Sequence, residues 1–79
     1  MNVHNYTGLT EEEVYNLPIL KSGKNHWRGR NIHLRQHPTD PLKVISEGTT
    51  FDGSMRVICD EMKSQWHREF EAAGDFETF

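Results

Sequence analysis

The 79-residue sequence predicts a single small α+β domain: a short N-terminal helix, a two- or three-stranded antiparallel sheet, and a long C-terminal amphipathic helix packed on one sheet face. Three observations predict it. Thr10-Glu11-Glu12-Glu13 is a helix start. Residues 32–46 alternate apolar and polar side chains around a proline-rich break, as strands do. From Asp52 onward, apolar residues recur at spacings of three and four, as on one side of a helix.

The helix start rests on local hydrogen bonding. Thr10 can cap, Glu13 stands three residues on to complete a capping box, and Leu9 can staple onto Val14. Pro18 disfavours helical geometry at Leu17, which limits this helix to about two turns. Ile19-Leu20 supplies a small apolar anchor before the turn signal Ser22-Gly23.

In the strand region, Ile32, Leu34 and Gln36 alternate with His33, Arg35 and His37. Pro38-Thr39-Asp40-Pro41 interrupts the run, and a second strand follows over Leu42–Ser46, which points to an antiparallel hairpin. Residues 24–28 are the candidate third strand, with Gly29 marking a bend. The closing helix is expected over Asp52–Ala73, capped by Asp52 and stopped by Gly74, with Met55, Ile58, Cys59, Met62, Trp66, Phe70 and Ala73 as its buried stripe. Trp66 and Phe70 are its expected anchors, because a large apolar side chain contributes about 1.5–3 kcal/mol when fully buried. Residues 1–8 and 75–79 read as loose ends.

Composition narrows function by exclusion. There is no signal-peptide pattern and no long apolar run, and a single cysteine rules out an internal disulfide framework, so the reading is a cytoplasmic protein with no membrane partner. Asn5-Tyr6-Thr7 matches a glycosylation acceptor, which carries no weight without a secretory route. A chain this short buries a modest fraction of its surface, which favours association with a partner or a second copy.

Charge is unevenly placed. Residues 1–20 hold three glutamates and no base; residues 21–37 hold five bases and no acid; from Asp52 onward seven acids face three bases. The basic island supplies the candidate partner-binding residues: Lys21, Lys24, Trp27, Arg28, Arg30, His33, Arg35 and His37, with Lys43 brought alongside by the hairpin. If Ile32 and Leu34 face the core, His33, Arg35 and His37 share the solvent face.

No metal, cofactor or catalytic residue is assigned. His33 and His37 are four apart, which on a strand separates them by roughly 13 Å, too far to share one ion. Cys59 sits among apolar neighbours, the setting of a structural thiol. The Glu11–Glu13 run is accounted for by the helix dipole. Phe76 and Phe79, interleaved with Asp75 and Glu77, have the composition of a linear binding motif, although a terminal segment of this kind more often folds back or frays.

The expected function is therefore that of a non-catalytic adaptor or inhibitor recognising a macromolecule, a protein in preference to nucleic acid, through the basic sheet face. Its small size, with no pocket, cofactor motif or targeting signal, suggests a phage or mobile-element accessory protein. The alternative is direct nucleic-acid binding by the 21–37 segment. The third is a small ribonuclease or metal-binding protein that relies on the histidines.

Overall fold

The computed structural model describes residues 2–25 and 29–73, with side chains for 2–23 and 31–68. Seven elements follow in order: β1 (Asn2–Asn5), α1 (Glu11–Tyr15), β2 (Ile19–Asn25), β3 (Gly29–Gln36), β4 (Lys43–Thr49), β5 (Met55–Met62) and α2 (Lys63–Ala73). The strands form one five-stranded mixed sheet in the order β1-β5-β4-β3-β2.

α1 is built as its sequence dictates. The Glu13 amide donates to Thr10 Oγ1 at 3.1 Å, and the Thr10 amide donates back to Glu13 Oε1 at 3.1 Å. Five residues cannot sustain a helix alone. The turn is held by fully buried Val14, which joins Ile45 and Ile58 with Leu9 and Leu17 packed around them. Thr10→Ala removes one half of the box and is expected to cost about 1 kcal/mol, read as a lower urea midpoint at unchanged m-value.

β3 and β4 pair antiparallel with Gln36 opposite Val44 and Arg35 opposite Ile45, across the Pro38–Pro41 connection. Asn31 takes a left-handed φ of 52°, which asparagine tolerates better than most residues, where the β3–β4 register shifts between Arg30 and His33. After that irregularity Ile32 and Leu34 face one side of the sheet, and with Val44 and Trp66 they form the second core cluster. The candidate third strand is placed earlier than expected: β2 ends at Asn25, and residues 26–28 lie outside the described segments. Residues 2–5 form β1, parallel to β5, from Asn2 opposite Met55 to Asn5 opposite Ile58.

The long helix over Asp52–Ala73 is overturned, and with it the expected two-layer packing of helix on a two- or three-stranded antiparallel sheet. Met55–Met62 is strand β5, antiparallel to β4 from Lys43–Met62 to Thr49–Arg56, and only Lys63–Ala73 is helical. The physical reason lies in β4. Its residues Val44, Ile45, Ser46 and Glu47 are all buried, so both faces of this strand are covered and both of its edges need hydrogen-bonding partners. β3 satisfies one edge and β5 the other.

Asp52, expected to cap the helix, instead organises the β4–β5 turn. Its Oδ1 accepts from the Ser54 amide at 2.9 Å, the Ser54 hydroxyl at 2.8 Å and the Thr50 hydroxyl at 2.7 Å, and Gly53 takes the left-handed φ of 77°. The Ser54 amide, followed by the Thr50 and Ser54 hydroxyls, lowers the Asp52 pKa to about 2. Asp-Gly between two strand-like runs is a hairpin signal in its own right.

A charged sheet face and a candidate binding edge

The α1 side of the sheet is organised around one acid. Glu47 stands on the central strand and is 1 % exposed, so its carboxylate requires partners inside the fold. Arg35 from β3 supplies Nη2 at 2.6 Å and Nε at 2.7 Å from Glu47 Oε1. Arg56 from β5 supplies Nη2 at 3.0 Å from Oε2, and its Nη1 donates to Thr49 Oγ1 at 2.7 Å.

Arg35 also donates through Nη1 to the carbonyls of Tyr15 at 3.2 Å and Leu17 at 2.8 Å. These acceptors lie at and just beyond the end of α1, where backbone carbonyls lack intrahelical partners. The Tyr15 ring lies 5.8 Å from the Arg35 guanidinium carbon. Arg35 thus ties α1 to the sheet, and its residue is 8 % exposed.

A second ionic group closes the same face at the hairpin end. Asp60 Oδ2 lies 3.3 Å from His37 Nε2, and Asp60 Oδ1 lies 3.7 Å from Lys43 Nζ. His37 Nδ1 accepts from the Thr39 and Asp40 amides, so Nε2 is the nitrogen that carries the proton toward Asp60. Nearer the β2 edge, Ser22 Oγ and His33 Nδ1 are 2.7 Å apart.

His33, Arg35, His37 and Lys43 therefore share one side of the sheet. Arg35 is inside the fold, paired with Glu47, while His37 and Lys43 meet Asp60. Lys21 is half-buried on β2. Lys24 and Arg30 belong to β2 and β3, their side chains beyond those described, and Trp27 and Arg28 lie outside the described segments. Glu47 and Arg56 were missed as members of this cluster. The period-2 pattern contained the signal for Glu47, since a strand through Val44 and Ile45 puts Glu47 on the face of Ile45. Arg56 was hidden by the helical reading of its segment.

The α2 side holds an open cavity of about 160 Å³, lined by Ile32, Ser46, Gly48, Val57, Cys59 and Trp66 among others. At its rim the Ser46 hydroxyl donates to Glu61 Oε1 at 3.0 Å. Any side chain at 48 would force Ile32 to shift, because a Cβ there would lie 2.9 Å from Ile32 Cγ1. Asn5, the glycosylation-acceptor match, has its side-chain amide bonded to the Leu9 carbonyl at 2.7 Å.

Among the described residues no group of three or more His, Cys, Asp or Glu side chains is placed to hold a metal ion, and no helix is long and apolar enough to cross a membrane. No family model, curated protein or solved structure matches the chain.

Proposed function

We propose that this chain is a non-catalytic binding protein that recognises an acidic patch on a protein partner through the β2 end of its sheet. The observation that carries this reading is where the face keeps its acids. Glu47 and Asp60 stand on β4 and β5 and bond the bases Arg35, Arg56, His37 and Lys43. The sequence of residues 21–30 has four bases and no acid. Lys21 and Lys24 belong to the edge strand β2 and Arg30 to β3 beside it, in a chain whose net charge is −3.

Such a molecule suits a compact acidic surface better than a long polyanion. A nucleic-acid duplex extends past a single edge and would meet the acidic remainder, and domains that bind it by charge tend to have a pI above about 9, against 5.9 here. Burial of Arg35 also removes one base from the set available to phosphate.

The test is an anisotropy titration with a glutamate-rich peptide and a single-stranded oligonucleotide of equal charge. The peptide is expected to bind, and combined reversal of Lys21, Lys24, Arg28 and Arg30 to glutamate is expected to weaken it about tenfold or more. Tighter binding of the oligonucleotide, with a steep salt dependence, would replace this reading by the nucleic-acid one. Binding of neither probe overturns both.

A further inference from the structure

The two edges of the sheet are built differently. β2 has register irregularities between Ile19 and Lys21 and between Gly23 and Asn25, and it carries lysines, two of the devices besides shortness that keep an edge from pairing with another strand. β1, four residues long, has neither. It pairs with β5 over four consecutive positions without a shift and contains no lysine or proline. The first ten residues contain no Lys, Arg, Asp or Glu, in a chain that is 27% charged. Depletion of charge with aromatic exposure is the composition of an interface centre. Tyr6 is 70 % exposed and stacks on His4 with centroids 6.5 Å apart.

We propose that a second copy of this chain adds to the β1 edge, antiparallel, about a two-fold axis through His4. The hydrogen bonds set the register. The amides of Asn2 and Tyr6 donate inward to the Ser54 and Ile58 carbonyls of β5 and its turn. Main-chain groups alternate in direction along a strand, so those of Val3 and Asn5 point away from β5. In a continuous sheet, residues that face one another across a two-fold axis must lie on the same side of it.

Placing the axis at His4 satisfies both conditions. Val3 then exchanges a pair of N–H···O=C bonds with Asn5 of the partner subunit, and Asn5 exchanges a pair with the partner subunit's Val3. An axis at Val3 would engage only the Val3 groups within Asn2–Asn5. The His4-centred register lines up Tyr6, His4 and their copies on one side, and sets exposed Val3 beside Asn5 on the other. Apart from the two His4 rings that meet at the axis, the register brings no acidic or basic residue opposite a copy of itself. The bonds also give a short parallel strand, the weaker kind of pairing, a second neighbour.

The product is a continuous sheet of twice five strands with the two β2 edges at its far ends, about 43 Å apart for nine spacings of about 4.8 Å.

Sedimentation equilibrium on the full chain tests the assignment. The wild type is expected to show a monomer–dimer equilibrium. Val3→Pro removes an outward N–H while leaving the inward ones, and His4→Glu sets two carboxylates face to face. Each is expected to weaken the dimer about tenfold or more, with a circular dichroism spectrum matching the wild type. A wild type that stays at monomer mass, or a dimer unchanged in either folded variant, overturns the proposal. Neither outcome bears on the acidic-partner reading, which concerns the opposite edge.

Discussion

Glu47→Ala is expected to cost about 3–5 kcal/mol, because it leaves Arg35 and Arg56 facing each other inside the fold with no counter-charge. Proteins of ordinary size have only about 5–15 kcal/mol in total, so the variant should be largely unfolded or have a urea midpoint near zero. Glu47→Gln keeps the shape and one acceptor and is expected to fall between alanine and the wild type. Replacing Arg35, Glu47 and Arg56 together by apolar residues of similar volume should recover much of the loss, since desolvation of the ions disappears with their attraction. The loss in Glu47→Ala should also persist in high salt, which screens buried pairs poorly. A urea midpoint for Glu47→Ala equal to the wild type would show that the cluster contributes nothing to the fold.

Trp66→Ala is the second large effect, expected at about 3–5 kcal/mol. Trp66 is 1 % exposed and forms one cluster with Ile32, Leu34 and Val44, so among the described residues it is an α2 side chain that seats the helix on the sheet. At eleven residues α2 is too short to persist on its own. The variant should therefore lose helical circular dichroism and amide protection over 63–73, and a loss of this size should leave the sheet with a urea midpoint as low as that of Glu47→Ala. Trp66→Phe should retain the helix at a smaller cost. Full retention of helical signal in Trp66→Ala would mean that other contacts hold α2.

These two sites differ in how far they could be read in advance. Trp66 reads as an anchor from the sequence because its burial follows from size and hydrophobicity, whichever face its helix meets. Glu47 does not stand out in the same way. A carboxylate in an apolar strand gains its meaning from Arg35 twelve positions before it and Arg56 nine after it, and those meet only when three strands align. Arg35 reads as solvent-facing for the same reason: alternation gives its side of the sheet but does not reveal that α1 covers that side.

The error over 52–62 has a related origin. Met55, Ile58, Cys59 and Met62 fit a helical stripe, yet an apolar run as short as Val57-Ile58-Cys59 fits a strand buried on both faces equally well, and spacing alone does not separate them. Asp52-Gly53 and the two β-branched residues Val57 and Ile58 favoured the strand.

Signals that act over a few residues were legible from the chain: the Thr10–Glu13 box, the stop at Pro18 and the β3–β4 hairpin each depend on neighbours close in sequence. The pairing of β5 and β1, the conversion of a supposed long helix into strand and short helix, and the enclosure of Arg35, Glu47 and Arg56 depended on the assembled sheet. A strand exists by virtue of its partners, and the open edge of β4 was a demand that residues 52–62 could answer only once the rest of the sheet was in place.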